Sequence, residues 1–286
     1  MQNARQSELR LLREADIPAA MRLKGLVGWN QTETDLGRFV RLEPNGCFCE
    51  VAEGRVVGTT TTITYGRELA WIGMVVVDPQ YRHRGIATRL MRAALEYLSE
   101  MGVATVMLDA TPDGRPLYEK LGFKVESLIE RWTGIAQATP AVGCSTLNSS
   151  ERQEVLVLDR RAFGADRSKL IEMLIEEALV PPLVTTGVDG RVKGYALARR
   201  GTDATYVGPL VATAADAAMA LLDELLSQLT GQRIYIDVNP DFGVSPEVLA
   251  TRGLIKQRDL VRMGYGDQSG AGSSRYVFAI AGLEFG

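Results

Sequence analysis

The residues best suited to chemistry lie in one stretch, Val75-Val76-Val77-Asp78-Pro79-Gln80-Tyr81-Arg82-His83-Arg84-Gly85-Ile86-Ala87-Thr88. An apolar strand runs into a proline turn, a basic loop with one glycine, and then a helix. Backbone N–H groups at the start of a helix sit at the positive end of its dipole, where they bind phosphate. Arg82 and Arg84 add charge-assisted donors, and Gly85 with the small Ala87 lets a bulky pyrophosphate come close to the backbone. A polyphosphate ligand is expected; taken alone, such a turn also reads as a solvated basic helix start. A P-loop needs Gly-Lys-Ser/Thr after its glycines, and a dinucleotide fingerprint needs three glycines and an acid about 20 residues on; this loop has neither. His83 is the only histidine beside three cysteines, so no Cys/His cluster has metal spacing and no structural zinc is expected.

Patterning sets the elements that must carry this loop. Asp16-Ile17-Pro18 opens a helix with Asp as N-cap and Pro near the first turn. Cys47–Ala52 and Val56–Tyr65 alternate as strands around a Gly54 turn, and Leu69–Val77 is an apolar strand. Gly85–Glu100 repeats apolar residues at helical spacing, Thr105–Leu108 is a further strand, and Arg115–Leu121 is a helix stopped by Gly122. Antiparallel hairpins combined with a βαβ unit make an α+β arrangement around a mixed sheet.

The same order returns in the second half. Gly54-Arg55-Val56-Val57-Gly58 recurs as Gly190-Arg191-Val192-Lys193-Gly194, and Trp71-Ile72-Gly73 as Tyr206-Val207-Gly208. Thr105–Asp109 recurs as Arg233–Asp237, Leu121-Gly122-Phe123 as Arg252-Gly253-Leu254, and Arg131 as Arg262. Five matches in one order define two copies of one fold. Thr133–Ser150, small and polar with no apolar period, reads as the linker, which places the boundary at 1–138 and 139–286. Gly266–Ser274 reads as a second flexible stretch, before a last apolar strand at Tyr276–Ala281 that closes one of the sheets.

Composition agrees with two packed domains. The 286 residues are 46% hydrophobic and 23% charged, enough for a real core and unlike a disordered chain. Thirty-two Lys and Arg against 35 Asp and Glu give a net charge of −3, without the basic footprint of a nucleic-acid binder. Cys47 and Cys49 share one strand face and the third cysteine leaves an odd count, which suits a reducing cytosol. Met1–Asp16 has no apolar targeting segment and no run approaches 18 apolar residues, so a cytoplasmic protein without membrane partners is expected.

Arg82-His83-Arg84-Gly85-Ile86-Ala87 resembles the Gln/Arg-x-x-Gly-x-Gly/Ala motif of the GNAT acetyltransferase superfamily. Trp71–Val77 is similar to that family's splayed fourth strand, and Asp109–Phe123, ending in Tyr-x-x-x-Gly-Phe, to its fifth strand and following helix. The second copy resembles a diverged GNAT domain, so the chain as a whole looks like two tandem GNAT folds. The resemblance implies acetyl-CoA as co-substrate and no metal. Backbone groups of Val75 and Val77 would pair with the pantetheine arm, and His83, Arg84, Gly85, Ile86, Ala87 and Thr88, with Arg82, would hold the pyrophosphate. An N–H near Val75 or Val76 would face the thioester oxygen, and Tyr118 would be the general acid. Many family members carry a glutamate on the fourth strand, but Trp71-Ile72-Gly73-Met74-Val75 has none, so the base is left to a water chain or to Glu68. His83, in the pyrophosphate loop, is not read as a base. Trp29 and Asn30 follow the first helix, where the family builds part of its acceptor pocket.

In the second copy the loop position reads Ala212–Ala220 without glycine or arginine, Asp216 would repel phosphate, and the Tyr118 counterpart is lost. That copy is expected not to bind CoA and instead to wall the acceptor pocket. Tyr206 and Asp237 are its candidates for holding a substrate ammonium, by cation–π contact and ion pairing; alternatively Asp237 caps a turn with Asn239-Pro240. The expectation is an N-acetyltransferase acting on a small-molecule amine by direct attack in a ternary complex, as monomer or homodimer. The alternatives are a non-catalytic acyl-CoA-binding regulatory module and a protein acetyltransferase.

Overall fold

The computed structural model describes residues 7–139, 143–266 and 274–286. The first copy runs β1 (Glu8–Leu11), α1 (Ile17–Leu26), α2 (Glu33–Leu42), β2 (Phe48–Ala52), β3 (Arg55–Tyr65), β4 (Leu69–Val77), α3 (Ile86–Glu100), β5 (Thr105–Ala110), α4 (Arg115–Lys120) and β6 (Lys124–Ile135). The second repeats that order as β7 (Cys144–Thr146), α5 (Arg152–Phe163), α6 (Ser168–Glu176), β8 (Leu183–Thr186), β9 (Val192–Arg199), β10 (Thr205–Ala212), α7 (Ala215–Gln228), β11 (Arg233–Val238), α8 (Pro246–Ala250) and β12 (Ile255–Gly266), and β13 (Val277–Ala279) follows. Helix α2, which the sequence pattern did not reveal, starts at a capping box in which Thr32 and Asp35 bond each other's backbone N–H groups at 3.3 and 2.8 Å.

Among the described residues all thirteen strands join one sheet, in the order β1-β2-β3-β4-β5-β12-β6-β11-β13-β10-β9-β8-β7. Two corrections to the sequence reading follow. The copies do not form two separate sheets, because they exchange strands: β12 pairs with β5 of the first copy and β6 with β11 of the second. The boundary at 138/139 therefore divides the helices but not the strands. Nor is the linker as long as Thr133–Ser150, since Thr133–Ile135 finish β6 and Cys144–Thr146 form β7, while residues 140–142 lie outside the described residues.

The exchange is sealed by matched ion pairs. Arg131 on β6 grips Asp237 on β11 at 2.7 and 2.6 Å, and its repeat counterpart Arg262 on β12 grips Asp109, the counterpart of Asp237, at 2.9 Å twice. Between them Ile129 faces Leu260, also repeat counterparts, so the pseudo-twofold axis passes between β6 and β12.

Apolar stripes from α1, α2, α5 and α6 cover one face of the sheet, and those from α3, α4, α7 and α8 the other. Each buried Leu or Phe contributes about 1.5–3 kcal/mol.

The last strand corrects a third expectation. β13 closes no edge; it lies inside the sheet, bonded to β10 through Leu210 and Val211 and to β11 through Val238. Most of the Gly266–Ser274 stretch before it lies outside the described residues. Beyond β13 the chain crosses into the first copy. There the Leu283 carbonyl accepts from Trp71 Nε1 at 3.0 Å, the Phe285 carbonyl accepts from the Tyr65 hydroxyl at 2.7 Å, and the Phe285 ring stacks on Phe39 with centroids 4.8 Å apart.

Candidate active site

A bulge in β4 opens the site. Thr59 of β3 faces Val76 and Thr61 faces Gly73, so β4 carries an extra residue between them. Met74 absorbs it with a left-handed φ of 50°, fixed by a 2.9 Å bond from the Thr59 hydroxyl to its carbonyl. β4 then pairs with β5 only through Leu69–Trp71, and from Ile72 onward the two strands part. The wedge is a cavity of about 770 Å³ that runs through the sheet.

On the α3 side the cavity is lined by Val75, Val76, Val77, Arg82, His83, Gly85, Ile86, Ala87 and Thr88, as the sequence leads one to expect. Gly85 caps α3 in the left-handed conformation, φ 73°, and His83 is also left-handed at φ 62°. The loop folded in this way places the first residues of α3 on the cavity wall. Arg84 departs from the expectation. Its guanidinium lies over the Tyr81 ring, 4.9 Å from the centroid, and donates to the Gln80 carbonyl at 3.1 Å, so its side chain leaves the cavity wall.

Tyr118 lines the same wedge from α4. Its ring is buried beside Phe123, and its hydroxyl bonds to none of the described residues. Burial pushes its pKa well above the usual phenol value, so the O–H keeps its proton at any physiological pH.

The far side of the wedge holds the residue that the sequence reading lacked. Glu284, three residues past Ala281 in the tail, is buried against Gly73 of β4. A Cβ at Gly73 would stand 2.8 Å from the Glu284 Cβ, so only glycine admits the tail here. Gln31 Nε2 donates to one carboxylate oxygen at 2.8 Å and Arg199 to the other at 3.2 Å. Burial raises the Glu284 pKa, and Arg199 opposes the rise. Glu68, by contrast, is exposed in the turn before β4 and lines no part of the wedge, so it is not the missing carboxylate. The legible signal was Gly73 itself, a vacancy where a fourth-strand side chain would stand, matched by Gly208 in the second copy.

Trp29 lines the cavity with Gln31, Asp109, Arg131, Arg258, Leu260 and Leu283, so residues of both copies build one wall. Three expected contacts do not reach it. Asn30 is buried and joins the copies, its amide donating to the Ala204 carbonyl at 2.9 Å and its oxygen accepting from the N–H groups of Asp203 and Ala204. Asp237 is fully buried, held by Arg131 and by the Tyr206 hydroxyl at 3.0 Å, and does not line the cavity, so it is out of reach of a ligand there. The Tyr206 ring carries the Arg199 guanidinium at 4.1 Å instead of a ligand cation. Asn239 caps the turn that had been the alternative role for Asp237.

The second copy splays in the same way, β10 and β11 pairing only through Thr205–Val207, but β13 fills the gap. Two residues separate β10 from α7, where eight separate β4 from α3.

Residues 12–123 match the acetyltransferase (GNAT) family and residues 155–279 the acetyltransferase (GNAT) domain. Uncharacterized N-acetyltransferase YitH of Bacillus subtilis is 28% identical over 231 residues, 78% of this chain and 79% of that protein. Glucosamine 6-phosphate N-acetyltransferase of Trypanosoma brucei brucei is 32% identical over 131 residues, 41% of this chain and 88% of that protein. The crystal structure of a putative acetyltransferase from Pyrococcus horikoshii superposes with a TM-score of 0.83, at 23% identity, covering 100% of this chain and 99% of that one, which shows the shared fold. With a GNAT match in each half, at residues 12–123 and 155–279, the chain belongs to the GNAT family as a tandem GNAT acetyltransferase.

Proposed function

We propose that this protein transfers the acetyl group of acetyl-CoA to the amine of a small molecule, by direct attack within a ternary complex. The observation that carries the proposal is the wedge between β4 and β5, with the basic loop and Tyr118 on one side and Glu284 on the other. The residues present suit the CoA chain. The edge of β4 beyond Ile72 is free of β5 and offers backbone groups to an extended pantetheine arm, and residues 83–88 offer N–H groups with Arg82 nearby for the pyrophosphate.

Glu284, with its raised pKa, accepts the proton of the incoming ammonium and frees the attacking lone pair. The β4 backbone N–H beside the bulge, at Val75 or Val76, faces developing negative charge on the thioester oxygen, a contact worth about 3 kcal/mol. Tyr118, held protonated by burial, gives its proton to the departing thiolate. The second copy supports the reaction by walling the acceptor end and does not take a cofactor of its own.

The test is acetyl-CoA-dependent release of free thiol across a panel of amines. Tyr118→Phe is expected to lower kcat by about 10- to 1000-fold with little change in the KM for acetyl-CoA. Undiminished turnover removes Tyr118 from the mechanism, and CoA binding without thiol release from any amine establishes a regulatory module instead.

A further inference from the structure

The cavity wall carries an arginine without a direct ion-pair partner among the described residues. Arg258 on β12 is half-buried and lines the cavity, directly across the strand pair from Arg131. Its Nε is buried without a hydrogen-bond partner, and its guanidinium makes no ion pair with any described residue. Burial and the neighbouring Arg131 press its pKa down, with Asp237 and Tyr235 opposing the shift only in part.

The nearby acids are all engaged or turned elsewhere. Asp237 is gripped by Arg131, Asp109 by Arg262, and Glu284 by Arg199 and Gln31. Asp113, the remaining acid on the cavity wall, is exposed in the loop that leads to α4. A guanidinium with its Nε buried and unpaired costs free energy in the empty protein, and that cost is recovered when a ligand brings an anion. The repeat makes the charge asymmetric. With Ile129 and Leu260 as counterparts, the position equivalent to Arg258 in the first copy is Ser127, so the arginine stands only on the side that opens to the working wedge.

We infer that Arg258 is an anion receptor for the acceptor, and that the substrate is an amine carrying a carboxylate or a phosphate. The inference rests on the acetyl transfer proposed above and adds the chemical class of the acceptor. A guanidinium suits both anions, since each accepts two parallel N–H bonds. In the bound state the anion sits on Arg258, beside Arg131, while the amine reaches Glu284 at Gly73.

The experiment compares matched pairs of acceptors: an amino acid against its amide, and an amino sugar phosphate against the free amino sugar. The anionic member of at least one pair is expected to show a kcat/KM about 10-fold or more above its neutral partner, and which pair responds separates carboxylate from phosphate. Arg258→Gln should raise the KM for that anionic acceptor by about 10- to 100-fold, the range of a lost charge-assisted pair, and leave the KM for acetyl-CoA in place. Arg258→Lys should restore part of the loss, and an unchanged melting temperature in both variants excludes misfolding as its cause.

Equal use of anionic and neutral acceptors overturns the inference. So does a rise in the KM for acetyl-CoA alone, which would give Arg258 to the CoA phosphates. If no amine is acetylated, the proposed function fails, and the receptor is judged by calorimetric titration of the CoA-saturated protein with inorganic phosphate and with acetate. Binding that the wild type shows and Arg258→Gln loses supports it, and no binding overturns it.

Discussion

Tyr118 and Glu284 reach the wedge from opposite faces of the sheet, and burial drives both pKa values up. The same shift has opposite uses: a phenol that holds its proton is an acid, and a carboxylate with greater proton affinity is a better base. Since Glu284 must be ionised to accept a proton, the rate should fall as pH drops through its pKa, at a pH above the ordinary glutamate value of about 4.3. Asp109 is also buried and raised, but Arg262 ties both of its oxygens, so Glu284→Gln isolates the relevant group. A pH–rate profile of that variant should lose the acid limb along with about 10²- to 10⁴-fold of kcat/KM; a limb that persists assigns the base elsewhere. The cavity-lining places of Tyr118, Arg82, His83 and residues 85–88 were legible because each belongs to a local pattern of strand, loop and helix, whereas the Arg84 side chain turns away. Glu284 was not, because no local pattern marks it. Its place is set by a tail that threads from copy two into copy one, over 200 residues along the chain from the strand it touches. Asp237 and Tyr206 were misread for a related reason, since sequence shows an acid and an aromatic but not the arginines that already occupy them.

At the scale of elements, the wedge depends on two strands parting and on what enters the gap. The repeat supplies two such gaps. In the first, the Met74 bulge separates β4 from β5 and the opening is left as a cavity. In the second, β13 takes the place between β10 and β11, and a Cβ on Gly208 would collide with the Ile280 carbonyl just beyond it. Gly73 and Gly208 are repeat counterparts, and both admit the same stretch of chain, one at Ile280 and the other at Glu284. Gly73→Ala should force the tail outward, costing about 1–3 kcal/mol of stability by overpacking and at least about 10-fold in kcat/KM by displacing Glu284. Thermal unfolding with steady-state kinetics checks both; wild-type turnover would show that the tail does not need this contact. The splay itself was readable from the resemblance of Trp71–Val77 to a known strand type. That the partner gap is plugged was not, because a short apolar run such as Tyr276–Ala281 is equally compatible with an edge.

At the scale of the molecule, strand exchange makes the two copies one cooperative unit. Each half alone leaves a pair of strands without neighbours: β5 lacks β12, and β11 lacks β6. Arg131, Arg262, Asp109 and Asp237 would become buried charges without partners, each broken pair costing about 3–5 kcal/mol. Residues 1–138 expressed alone should therefore be insoluble or unfolded, while the two halves produced together should co-purify as a folded complex. A soluble first half with a cooperative melt would show that the exchange is dispensable. The duplication itself was visible, since five matches keep their order along the chain. The exchange was not, because β6 and β12 are counterparts with similar apolar patterning, and either could complete either sheet.

The path of the tail also fixes when the lining of the proposed site is completed during synthesis. A ribosome that has translated both copies as far as Gly266 has already made the basic loop, the bulge and Tyr118, and the exchanged strands can pair. The cleft then still lacks its carboxylate, and the gap between β10 and β11 is still open. Both are completed together when residues 277–284 emerge and thread through the second copy into the first. Filling the second gap and completing the lining of the first are a single event, so a chain caught partway through translation holds a wedge with Tyr118 and without Glu284.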